Sequence, residues 1–156
     1  MRIYRIGDGR FPLWDGTGAA SFGGRWNSPG RPVIYGSLSY ACAMLEILAR
    51  ANIGRIPTTH RYLIADVPDD VTVERQDQNT LPFGWDAENN SAARAFGDLW
   101  LKEARSAVLL VPSVVAKLEW NALVNPTHPD AMRLTLSTAE TVVWDKRLFD
   151  RLSGSS

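Results

Sequence analysis

Two stretches of the chain repeat apolar residues at helical spacing, and seven shorter ones carry the branched and aromatic runs of strands. From Ser39 to Arg50, Ala41, Met44, Leu45 and Leu48 recur at the spacing of one helix face, which predicts a helix with Ser37 as its N-cap and Glu46 on the opposite, polar side. A second helix is predicted from Ser91 to Arg105, with Ala92, Phe96, Leu99 and Trp100 facing inward and Gly97 as a weak point. Strands are expected at Arg2 to Ile6, Val33 to Tyr35, Arg61 to Asp66, Val71 to Glu74, Ala107 to Val111, Met132 to Leu136 and Thr141 to Trp144, each bounded by Gly, Pro, Asp or Asn. A parallel βαβ alternation would need a helix after nearly every strand. The pattern therefore predicts an α+β domain of short mixed or antiparallel strands with two main helices.

Length and composition narrow the picture. At 156 residues the chain is long enough for one core without staples, and no repeat or low-complexity run divides it. The domain is expected to span residues 1–152, with Ser153-Gly154-Ser155-Ser156 as a flexible tail. A single cysteine, Cys42, excludes an intramolecular disulfide and fits a reducing compartment. The opening residues show no apolar stretch of signal-peptide length and no later run approaches a membrane span, so a cytoplasmic protein without a membrane anchor is expected. Seventeen basic residues balance 17 acidic ones, which leaves no electrostatic footprint for long nucleic acid and favours a small charged ligand or a protein partner.

The candidate chemistry concentrates near the start. Seven of the 12 glycines fall within the first 30 residues, and a segment of this kind approaches a ligand closely and can turn backbone N–H groups toward an anion. Within it, Gly23-Gly24-Arg25-Trp26-Asn27 precedes the strand-like Pro32-Val33-Ile34-Tyr35 and then the helix bearing Glu46. A cation, an aromatic ring and a carboxylate on successive elements suit a site that grips a charged nucleotide and cleaves a glycosidic bond in it. Cleavage between ribose and a cationic nicotinamide leaves an oxocarbenium-like sugar. Glu46 would face that carbon, Arg25 would fork onto phosphate, and Tyr35 would stack on the nicotinamide or position the ribose. The bland alternatives stand beside this: Glu46 paired on the surface with Arg50, Arg25 as a loop arginine, and Tyr35 as a strand residue with its ring packed inward and its hydroxyl bonded.

Further residues fit the same site. Ser113 emerges after Val111-Pro112 at a strand end, and Asn121 stands before a turn-rich segment from Val124 to Pro129. Trp14 and Trp26 are the tryptophans placed for ligand contact, the other four reading as core. His60 and His128 have no Cys, His or carboxylate at ligand spacing, so no metal is expected. A Gly-x-Ser-x-Gly elbow, a phosphate loop and a dinucleotide fingerprint are all missing, so NAD+, if bound, is a substrate to be broken. Two other functions remain open: a metal-free endoribonuclease using Arg25, Glu46 and His60, and a nucleotide- or peptide-binding module without chemistry.

The ordered set Tyr4-Arg5-Ile6, Gly23 to Asn27, Val33 to Ser37, Leu45-Glu46, Leu81-Pro82, Gly97 to Leu101, Val111-Pro112-Ser113 and Asn121 to Pro129 resembles the RES-domain toxins of RES–Xre toxin–antitoxin pairs, and their ParT-like members most. The arginine, glutamate and serine of the family's name fall on Arg25, Glu46 and Ser113. The resemblance implies a fold similar to ADP-ribosyltransferases, with Arg25, Tyr35 and Glu46 at the catalytic positions and Arg25, Trp26, Asn27, Tyr35, Ser113 and Asn121 around the dinucleotide. It further implies an NAD+-consuming toxin that passes ADP-ribose to a host protein or to water. Its partner would be an Xre-type DNA-binding antitoxin that occludes the site in a hetero-oligomer, leaving nucleic-acid binding to that partner.

Overall fold

A computed structural model describes residues 1–51 and 55–150; the expected domain end at 152 and the tail at 153–156 lie outside them. In chain order the elements are β1 (Arg2–Asp8), α1 (Thr17–Phe22), β2 (Ile34–Ser37), α2 (Tyr40–Ala51), β3 (His60–Asp66), β4 (Val73–Arg75), α3 (Ser91–Glu103), β5 (Val108–Pro112) and β6 (Trp120–Val124). A 3-10 turn (Pro129–Arg133), β7 (Thr135–Leu136), β8 (Glu140–Thr141) and α4 (Arg147–Asp150) complete it. The strands form one sheet in the order β4-β5-β6-β2-β1-β3-β7, with β8 also on β3. Only β4 and β5 run parallel, joined by α3 as a crossover; the other pairs are antiparallel. This is the α+β class that the hydrophobic pattern predicts.

Strand alternation sorts the side chains onto two faces. One carries Ile3, Ile34, Ala65, Val108, Leu110, Ala122 and Val124, covered by Trp14, Ala131 and Leu134. The other face is shared. Over β1 and β3, Tyr4, Ile6 and Tyr62 pack with Ala43, Met44, Ile47 and Leu48 of α2. Over β5 and β6, Leu109, Val111 and Leu123 pack with Ala93, Trp100 and Leu101 of α3. Between them runs β2, and its Tyr35 and Ser37 share this face. The register sets Tyr35 opposite Leu123 and Ser37 opposite Asn121. Two helices thus flank the strand that carries Tyr35 and Ser37 on this face.

Several local expectations are corrected. The inward stripe of α2 is shifted, since Ala41 and Leu45 are exposed while Cys42 and Ala43 are buried. The N-cap is Ser39, whose Oγ accepts from Cys42 N at 3.1 Å; Ser37 serves elsewhere. In α3, Leu99 is exposed and Gly97 is buried, because the helix presses its glycine against the backbone of Trp26. The central strand β6 and the short α1 are additions to the predicted list. The expected strands at 132–136 and 141–144 shrink to the two-residue β7 and β8. Both lie on the β3 edge, where short strands limit further pairing.

Candidate active site

Glu46 reaches from α2 toward the ends of β5 and β6. Ser113 Oγ donates to its Oε1 at 2.6 Å and Asn121 Nδ2 to the same oxygen at 2.7 Å. Ser113 is fully buried, at 0% exposure. Its oxygen accepts the backbone N–H groups of Val115 and Ala116 at 3.2 and 3.0 Å, so its proton is directed to Glu46. Asn121 is oriented in turn, with Oδ1 accepting Ser37 Oγ at 2.7 Å. Glu46 makes no ion pair with Arg50 among the described residues, so the bland alternative of an exposed pair does not describe it. Oε2 has no hydrogen-bond partner there either, which leaves one carboxylate oxygen held and one open to a ligand.

The glycine-rich segment forms a tight turn closed by a Gly24–Asn27 bridge. Tyr35 Oη donates to Asn27 Oδ1 at 2.6 Å and accepts Trp26 N at 3.1 Å. Burial pushes this phenol up to about 12. A Cβ on Gly24 would lie 2.7 Å from that hydroxyl, so glycine is required where the tyrosine pins the turn. From α3, Asp98 accepts Ser28 N at 2.8 Å, and Arg94 donates to Gly24 O at 3.0 and 3.2 Å. The N–H groups of Gly23 and Gly24 are spent on Ala19 O and Asn27 O, so they offer no anion cradle.

Two of the sequence-derived contact residues are enclosed. Trp26 is 3% exposed, stacked on Trp85 and edge-on to Phe96, so its ring packs in the core. Asn27 is 0% exposed and its amide is spent on Ala19 O and Arg31 O at 2.8 and 2.9 Å and on Tyr35; it holds the turn. Ser113 is equally enclosed and donates to Glu46. The Tyr35 hydroxyl is likewise committed, as the bland alternative for it anticipated. Arg25 differs. Its Nη1 donates to Trp85 O and Ala87 O at 3.1 and 2.9 Å, while Nε and Nη2 meet no acceptor and no carboxylate lies within ion-pair range among the described residues.

Arg25 and Glu46 do not touch. They are held by neighbouring loops: residues 85–87 grip Arg25, residues 113–119 carry Ser113, and Lys117 of the second loop pairs with Asp86 of the first while its Nζ stands 5.7 Å from the Trp85 ring. Arg5 adds positive charge on the β2 side, donating to Leu13 O and Tyr35 O; burial and the nearby Arg50 push it down to about 10. Two cavities, of about 470 and 250 Å³, lie away from these residues at the Gly9–Arg61 end of β1 and β3. His60 lines the smaller one. It stands three strands from Asn121 in the sheet order, about 14 Å at usual strand spacing. The trio Arg25, Glu46 and His60 required for the endoribonuclease reading is therefore not brought together. Among the described residues no three His, Cys, Asp or Glu side chains converge as a metal site, and no helix is long and apolar enough to cross a membrane.

Fold and site define an α+β domain in which a helix carboxylate is anchored through one oxygen by a serine and an asparagine. The RES domain sequence pattern matches residues 2–145, and the chain belongs to that family. The "Prs ADP-ribosylating toxin" of Sphingobium sp. (strain YBL2) is 40% identical over 137 residues, 85% of this chain and 84% of that protein. A "Toxin Res" of Pseudomonas putida is 37% identical over 136 residues, covering 86% and 91%. Another, from Photorhabdus laumondii, is 32% identical over 133 residues, covering 83% and 85%. Among solved structures, the M. tuberculosis MbcT–MbcA toxin–antitoxin complex contains a chain that superposes with a TM-score of 0.75 at 22% identity, covering 99% of this chain and 89% of that one.

Proposed function

We propose that this protein is a toxin that cleaves NAD+ at the nicotinamide–ribose bond and passes ADP-ribose to a protein side chain or to water. The observation that carries the reading is the Glu46 carboxylate, held by Ser113 and Asn121 on Oε1 and open at Oε2, in a family with a relative named as an ADP-ribosylating toxin. As the C1′–N bond breaks, its electron pair stays on the ring nitrogen, and the nicotinamide leaves neutral. The ribose carbon becomes cationic, and a fixed carboxylate nearby lowers the energy of that charge without reorganising. The acceptor then bonds to C1′ and loses its proton. Arg25, with two N–H edges free, binds the diphosphate. Tyr35 keeps the arginine-bearing turn in place and offers only its ring to the nucleotide.

The partner is a DNA-binding antitoxin of Xre type that covers this surface in a hetero-oligomer in the cytoplasm. Support comes from the antitoxin complex of the structural neighbour and from apolar side chains that stand open around the site. Phe83 and Leu118, at 102% and 94% exposure, lie on the loops that hold Arg25 and Ser113, and Phe22 directly precedes the glycine turn. An apolar rim of this kind is what a partner would bury.

Glu46→Gln keeps the shape and removes the charge. It should slow nicotinamide release by about 10²- to 10³-fold with an unchanged unfolding midpoint. Release at the wild-type rate would refute the reading. Mass spectrometry of a host lysate incubated with labelled NAD+ then separates the two outcomes: ADP-ribose on a protein means transfer, and free ADP-ribose alone means hydrolysis.

A further inference from the structure

We infer that Ser37 is a positioning residue for Glu46, acting through Asn121, and that the arrangement reserves Oε2 as the oxygen presented to the ribose. The inference rests on the functional reading above and extends it to a residue outside the proposed contact set. Ser37 and Asn121 are direct cross-strand neighbours on β2 and β6, so their side chains leave the sheet on the same face. The primary amide of Asn121 has two ends of opposite polarity, and in isolation either end can face Glu46. A carboxylate only accepts, so the productive orientation turns Nδ2 to Oε1 and leaves Oδ1 needing a donor. Ser37 is that donor, 2% exposed and 2.7 Å away; the Cys42 thiol, buried beside it, adds a longer contact at 3.6 Å.

The polarity of the whole chain of bonds is thereby set. Ser37 donates to Asn121, Asn121 donates to Glu46 Oε1, and Ser113 donates to the same oxygen. Both donors converge on one oxygen, which fixes the rotation of the carboxyl plane and leaves Oε2 pointing away from them. Without the Ser37 hydroxyl, Oδ1 keeps only the longer Cys42 contact, and the amide that donates to Glu46 is held less firmly. A residue that merely filled space at this position would influence stability but not the link between Asn121 and Glu46.

Two measurements test this. The first is a double-mutant cycle on nicotinamide release from NAD+ with Ser37→Ala, Asn121→Ala and the pair, with thermal unfolding recorded for each. Ser37→Ala should lower kcat by about tenfold with KM within about twofold, and should add almost nothing once Asn121 is already Ala. Equal effects of Ser37→Ala in both backgrounds, or no effect at all, would overturn the inference. The second needs no activity: in 15N spectra the Asn121 side-chain NH2 should be protected from exchange, shift in Glu46→Gln, and lose protection in Ser37→Ala. An amide indifferent to Ser37→Ala also overturns it. If the wild-type protein releases no nicotinamide while the amide is protected as described, the functional reading fails, and the role assigned to Ser37 fails with it although the hydrogen-bond chain remains.

Discussion

Tyr35 illustrates how a side chain's company decides its task. Its hydroxyl completes two hydrogen bonds inside the glycine turn, to Asn27 Oδ1 and from Trp26 N, in a region too enclosed for water to replace them. Tyr35→Phe should therefore destabilise the protein by about 1–3 kcal/mol in chemical denaturation, since a buried acceptor and a backbone N–H both lose their partner. The pH dependence has a definite sign. Folding raises this phenol from near 10 in the unfolded chain to about 12, which favours the protonated form. The stability it contributes is complete below about pH 10 and is lost as pH rises toward 12. Absorbance titration should show phenolate appearing near the top of that range, and Tyr35→Phe should reduce that late step. Glu46 shows the converse case, a polar residue on a surface helix whose role depends on donors 67 and 75 positions further along the chain.

At the scale of elements, α3 is more than a cover for β5 and β6. It contributes Asp98 and Arg94 to the glycine turn and brings Gly97 against it so closely that an added Cβ would lie 1.8 Å from Trp26 O. That distance is impossible, and the obstacle is backbone. Gly97→Ala should force the helix and the turn apart and cost about 2 kcal/mol or more, read as a lower denaturant midpoint, with NAD+ turnover falling alongside as Arg25 is displaced. A glycine inside a helix reads from sequence as a weak point; here the missing side chain is what allows the contact. The shifted stripe of α2 has a related cause. That helix packs on β1, β2 and β6 together, so the side facing Ser113 and Asn121 is enclosed as well as the apolar side.

For the whole molecule, the sheet places the candidate site between α2 and α3, and the loops before α3 and after β5 carry exposed apolar side chains beside it. Phe83→Ser and Leu118→Ser remove these without touching the residues that hold Arg25 or Glu46. The double variant should bind its cognate antitoxin at least about tenfold more weakly in calorimetry while releasing nicotinamide at the wild-type rate. Equal affinity would remove this rim from the docking surface.

Much of this architecture is legible from local pattern, because helix and strand periodicity and the Gly-Gly-Arg-Trp-Asn signature depend on neighbours in the chain. Arg25, Glu46, Ser113 and Asn121 are chosen from the sequence, and the structure links the last three through one oxygen. What the sequence by itself determines is therefore the α+β class, the two helices and the residues with usable chemistry. Tertiary structure alone decides how they are used: that Trp26 and Asn27 turn inward, that Trp120–Val124 becomes a central strand, and that Ser37 leaves the helix cap to hold Asn121. The physical reason is that burial and hydrogen-bond partnership are set by sheet order and register, which join residues far apart in the chain and leave no local trace at either end.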